Sequence, residues 1–96
     1  MDIKTVGNSV IITGNIKTIG DYQAIKSTLE SLAATSKTIT IDIKDSISIT
    51  SSVIGFLTKL VQKEKIDIQI RVGDANLYNL FDEINVVQLF KVTKAK

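Results

Sequence analysis

The chain has no cysteine, no histidine and no tryptophan, and a single arginine, Arg71. Each absence closes a class of function. Without cysteine there is neither a disulfide framework nor thiol chemistry. Without histidine there is no Ser-His-Asp triad, and the commonest zinc ligand and general base are missing together. One arginine against eleven lysines supplies little of the forked, bidentate geometry that reads phosphates and bases. Three Phe and two Tyr offer little for base stacking. The net charge is only +2, so nucleic acid is not the expected partner. Neither G-x-x-x-x-G-K nor G-x-G-x-x-G occurs. The carboxylates form no cluster: Asp82 and Glu83 are neighbours on a helical stretch and diverge, and Asp42 and Asp45 are the other pair. No metal site, no cofactor and no catalysis are expected. No apolar run approaches a membrane span, and "MDIKTVGNSV" lacks a signal-peptide pattern, so a cytoplasmic protein is expected.

What remains is one domain over residues 1–96, with 44% apolar residues and a modest core. Residues 2–6 and 9–13 read as two strands around a tight turn at Gly7-Asn8, the second ("SVIIT") rich in β-branched residues. From Gly20 the period changes. Tyr22, Ile25, Leu29, Leu32 and Ala33 mark one face of a helix over about residues 21–35. Asp21 suits its start, and Lys26 and Glu30 are spaced for a weak ion pair. "KTITIDI", residues 37–43, alternates strictly and is expected to be a central strand. "KDSIS" connects it to "TSSVIGFLTKLVQKEK", a second helix with Val53, Leu57, Leu60 and Val61 on one face and Ile54 and Phe56 widening it. Gly55 within it points to close packing against a neighbour. "IDIQIRV", residues 66–72, alternates again. Asp74 is placed to cap a short helix carrying Leu77, Leu80, Phe81 and Ile84. "VVQLFKVTKAK" reads as a last strand and a frayed basic end. The order β-β-α-β-α-β-α-β predicts an α/β fold with a mixed, mostly parallel sheet.

Two α/β families come into question. A receiver domain needs an acidic pair after its first strand, and "ITGNIK" holds no acid there. The chain resembles instead the STAS domain of bacterial anti-sigma factor antagonists and of the cytoplasmic parts of sulphate transporters. The resemblance covers nearly the whole chain. It rests on "VIITG", on "ITIDI" with its late Asp42, on "TSSVIGFLTKL" in place of the family's D-S-S-G-L-like turn and helix, on "IDIQIRV", and on the ending "NLFDEINVVQLFKV".

The resemblance implies helices packed mainly on one face of the sheet and a regulatory role without catalysis. A partner serine kinase, often itself the anti-sigma factor, phosphorylates the hydroxyl after the motif's aspartate. The phosphorylated form releases the partner, and a phosphatase resets the switch. Carried onto this chain, the aspartate falls on Thr50, the phosphoacceptor on Ser51, the next hydroxyl on Ser52 and the glycine on Val53. Thr50 removes a carboxylate and Val53 adds bulk relative to that pattern. Ser51 is the first candidate for phosphorylation, Ser52 the second and Thr50 the last. Thr50, Ser51, Ser52, Val53, Ile54 and Phe56 are the expected partner-binding residues. The alternative is a STAS subunit docking through the same helix on the cytoplasmic face of an ABC-type lipid or anion transporter. A third class is a nucleotide-binding or signalling module without phosphorylation. A phosphate would add roughly −2 charge to the start of the second helix, where the helix itself tolerates an anion. A bare "TSS" before an apolar run is also simply a helix cap. An exposed strand edge allows a monomer or a weak dimer.

Overall fold

A computed structural model describes residues 1–95; Lys96, the last residue of the basic end, lies outside them. Eight elements follow in the expected order. They are β1 (Asp2–Val6), β2 (Ser9–Thr13), α1 (Ile19–Ala33), β3 (Thr38–Ile43), α2 (Ser51–Gln62), β4 (Asp67–Val72), α3 (Ala75–Glu83) and β5 (Val92–Lys94). The five strands form one sheet in the order β1-β2-β3-β4-β5, with β3 at its centre. β1 pairs antiparallel with β2, and every later neighbour is parallel.

The hairpin turns at Gly7, whose φ of 60° at the first central position suits a two-residue II′ turn and the twist of its strands. The later connections all advance the sheet in one direction. Crossovers of the usual right hand then lay all three helices on the same face. The burial pattern agrees. Ile39, Ile41 and Ile43 of β3 and Ile68, Ile70 and Val72 of β4 are buried, and the residues between them face the other way. In register, Val10 lies beside Ile41 and Ile41 beside Ile70, so the strands lay a continuous apolar floor. Ile25 and Leu29 of α1, Val53, Leu57 and Leu60 of α2, and Leu77 and Phe81 of α3 cover it. The opposite face is polar. There Asp42 pairs with Lys44 at 2.9 Å, and the other Asp42 oxygen is buried without a partner.

Several boundaries differ from the periodic pattern, each for a local reason. α1 starts at Ile19, because Thr18 and Asp21 form a capping box around the first turn. The Asp21 N–H donates to Thr18 Oγ1 at 3.0 Å, and Asp21 Oδ2 accepts from the N–H groups of Lys17 (3.0 Å) and Thr18 (3.1 Å). These backbone donors, Lys17 first, hold the Asp21 carboxyl below the usual aspartate range. Its contribution is therefore complete above the unfolded value and is lost as pH falls through the lower folded one. Asp21→Asn should flatten the acid limb of a plot of thermal midpoint against pH. An unchanged slope below about pH 4 would show that the box carries no linkage.

Residues 87–91 turn back instead of extending. Phe90 N–H donates to Val86 O at 2.9 Å and Val92 N–H to Val87 O at 2.8 Å, while Asn85 and Lys91 take left-handed φ values of 61° and 49°. This coil drives Phe90 into the core, edge-on to Phe81 at 6.2 Å between ring centroids. It leaves β5 only three residues. Ile84 falls at the C-cap of α3 and is exposed. Gly55 is on the solvent side of α2, and a Cβ there would meet nothing within 4 Å, so close packing is not its reason. Among the described residues the ion pairs are Asp42–Lys44 and Asp67–Lys91, and Lys26 with Glu30 is not one of them.

Candidate functional site

β2, β3 and β4 run parallel, so their C-terminal ends and the starts of α1, α2 and α3 gather at one end of the sheet. Crevices of open α/β sheets that bind ligands and partners lie at this end. The stretch 44–50 leaves β3 here and is laced to residues 14–16. Gly14 N–H donates to Asp45 Oδ1 (2.7 Å), Ile47 N–H to Asn15 Oδ1 (3.0 Å), and Ser48 Oγ to the Ile16 carbonyl (3.0 Å). Asp45 is thereby engaged with the backbone, away from the Asp42–Lys44 pair.

Ser46 is the centre of this lacing. It is the one polar residue of the described chain that is fully enclosed, at 1% exposure. Its hydroxyl accepts from the Ile16 N–H at 3.0 Å and donates to the Ser48 carbonyl at 2.7 Å. Ser46→Ala would strand a buried N–H, and urea unfolding should record a loss of about 1–3 kcal/mol. Faster amide exchange at Ile16 should accompany it. An unaltered denaturation midpoint would show that the loop is held by other contacts.

The loop delivers Thr50 to the N-cap of α2. Its backbone is extended (φ −90°, ψ 156°), and its Oγ1 accepts from the Val53 N–H at 3.3 Å. The Thr50 carbonyl takes the Ile54 N–H at 3.1 Å, the first bond of the helix. Thr50 is therefore the cap. Ser51 and Ser52 are the first two helical residues, both exposed, and their hydroxyls make no hydrogen bond within the described residues. The first turn of α2 carries no acid, so the positive end of the helix is uncompensated.

The remaining expected contact residues divide. Val53 (2% exposed) and Phe56 (6%) point into the core, so neither side chain is offered to a partner, and this corrects their assignment from the motif. The reason is helical period: Val53, Phe56, Leu57 and Leu60 share the stripe that covers the sheet. Ile54 is half-buried against the same core.

Other residues join the site that sequence patterns did not pick out. Lys17, Thr18, Ile19 and Tyr22, from the start of α1, line a shallow cleft with Thr50 and Ser52. Ile19 is 76% exposed, and Ile47, three residues before the cap, is 55% exposed. Both lie outside the periodic apolar stripes, in the turn and capping residues. An apolar residue beside a cap is a weak sequence signal, and only the meeting of the two loops gives it meaning. The cleft thus combines Lys17, the free Ser52 hydroxyl at a helix start and the exposed Ile19. That combination suits a surface that another protein covers and a phosphate can alter. Among the described residues no group of three or more Asp, Glu, His or Cys could hold a metal, and no helix is long and apolar enough to cross a membrane.

No family model, no curated protein and no solved structure matches the chain.

Proposed function

We propose that this protein is a regulatory interaction module of the STAS type. On this reading it binds a partner serine kinase of the anti-sigma factor kind through the surface around Thr50–Ser52, and phosphorylation at Ser51, with Ser52 second, releases the partner. A phosphatase restores the binding form. The observation that carries the reading is a division of labour at the start of α2. Thr50 takes the capping bond, so Ser51 and Ser52 are not consumed by structure and stand exposed, Ser52 in one cleft with Ile19. Val53 and Phe56 anchor the same helix to the core, and Ile54 packs against it.

The physics suits a switch. A phosphate at the first turn of a helix meets unpaired N–H groups and the positive end of the dipole, so the fold accepts it. Lys17 stands across the cleft from Ser52 and adds a positive charge. A partner seated on the isoleucines would have to cover roughly −2 charge that it did not have to cover before.

The test is the mass of the tryptic peptide 45–59 from protein isolated from its native cells. Phosphate on Ser51 or Ser52 supports the switch. A peptide that stays unmodified across growth and stress conditions, with the protein found in the membrane fraction, would sink it in favour of docking on a transporter.

A further inference from the structure

The sheet has two free edges, and they are built differently. β5 has three residues, and its edge is guarded by lysines: Lys91 is paired with Asp67, and Lys94 lies over the Tyr78 ring at 4.9 Å. Short, charged edges resist further pairing. β1 has five residues, carries no bulge in its register with β2, and exposes Val6 at 63%. Such an edge is a template for another strand.

The order of residues along β1 specifies that strand. Val6 and Ser9 flank the two-residue turn, so they exchange both backbone hydrogen bonds, as do Lys4 with Ile11 and Asp2 with Thr13 in the alternating antiparallel pattern. The N–H and C=O groups of Ile3 and Thr5 therefore point outward, to the free edge. A second β1 can bond there only if its own outward residues meet them. Among antiparallel self-pairings about a two-fold axis, those centred on Ile3, Lys4 and Thr5 overlap the most of β1. Centred on Lys4, Ile3 would bond to Thr5 of the other chain, but the two lysines would stand directly opposite each other, where like charges repel. Centred on Thr5, Lys4 would meet Val6 and Ile3 would meet Gly7. Centred on Ile3, the outward groups of Ile3 bond to their copies, and Asp2 lies opposite Lys4 of the other chain twice over. Those pairs are of the non-hydrogen-bonded kind, in which side chains stand closest. Neither Asp2 nor Lys4 has an ion-pair partner among the described residues.

The hollow on the helix side of this edge is uncharged. Thr5 faces α1 there, and the hollow between them is lined by Thr5, Ser27, Thr28, Ser31 and Leu32, without a charge. The charged Glu30 instead lines the cleft toward α2.

We propose that β1 is a self-recognition edge: a second copy of this chain pairs with it antiparallel, centred on Ile3, and joins the two sheets into one of ten strands with all helices on one face. This assembly does not depend on the switch at α2, because the pairing uses the outward backbone groups of β1, and no β1 residue lines the cleft of Thr50 and Ser52.

The experiment is sedimentation equilibrium of the full chain without partner, from micromolar to millimolar concentration. The wild type should show a monomer–dimer equilibrium. Lys4→Asp sets like charges opposite twice and should weaken it about tenfold or more. Asp2→Lys with Lys4→Asp exchanges the charges and should restore it. Ile3 and Thr5 amides should exchange more slowly at the higher concentration, with Lys4 unchanged. A wild type that stays monomeric at millimolar concentration overturns the proposal. So does a dimer that Lys4→Asp leaves intact, or one that the double exchange does not rescue. Circular dichroism of the variants shows whether each is folded, and both positions are exposed, so the fold is expected to survive.

Discussion

Under the proposed switch, Ser51→Asp should strongly weaken capture of the partner and leave the fold as stable as before. A carboxylate at the first helical position meets the positive end of α2 and should change unfolding free energy by no more than about 0.5 kcal/mol, in the stabilising direction if at all. The same charge on a covered surface should weaken binding about 100-fold, because an interface that fits a neutral hydroxyl must desolvate an anion. Ser51→Ala should bind like the unmodified protein and no longer respond to the kinase. Thr50→Ala gives the contrast. It removes the cap from the Val53 N–H and should cost about 1 kcal/mol of stability, with no insensitivity to phosphorylation. The pairing of calorimetry with binding separates a structural role from a recognition role at adjacent residues. Equal loss of stability and binding in Ser51→Asp would mean that Ser51 matters to the helix and not to a partner.

Gly73→Ala should be the most damaging single methyl group in the chain. Gly73 ends β4, and its N–H donates to the Ile43 carbonyl at 2.9 Å. A Cβ there would fall well inside van der Waals contact with the carbonyl oxygen and carbon of Lys44. Those are backbone atoms, which cannot rotate away as a side chain would. The strands must separate or the loop after β3 must shift, at about 2–3 kcal/mol. For a domain of this size the melting temperature should fall on the order of 10 °C. Because Lys44 opens the loop that carries Ser46 and Thr50, partner binding should weaken as well. A variant with an unchanged melting temperature would show that the strand ends are slack and that the site is held by the Ser46 lacing alone. Gly55→Ala is the matched control, since a Cβ there meets open space.

The contrast between these two glycines bears on what can be read from a one-dimensional string. Both are isolated glycines beside apolar residues, and Gly55, inside a helix, carries the stronger expectation of close packing. Gly73, which looks like an ordinary strand end, is the one in contact. A glycine's role depends on what lies across from it, and that neighbour, Lys44, is about 30 residues away in the chain. The motif divides in the same way. "TSS" identifies a helix start from local chemistry alone, and the choice of Thr50 as cap agrees with the β-region backbone a cap requires. Val53 and Phe56, by contrast, were expected at the partner surface because the motif is contiguous. In a helix contiguous residues face all directions, so half of a seven-residue motif must point inward.

Local interactions suffice for what the sequence itself determined. The alternation in "TITIDI" and "DIQIRV" sets which strand face is buried, the three-and-four spacing of Ile25, Leu29 and Leu32 sets a helix, and Thr18, Thr50 and Asp74 set where helices begin. These are short-range preferences of pleat, turn and cap, and they act wherever the segment goes. The tertiary structure decided what brings distant segments together: the order of the strands, the enclosure of Ser46 between two loops, the coil that carries Phe90 against Phe81, and the cleft in which Lys17 and Ile19 meet Thr50 and Ser52. Those depend on packing one apolar face of five strands beneath three helices. No residue's identity records which partner that packing will place beside it.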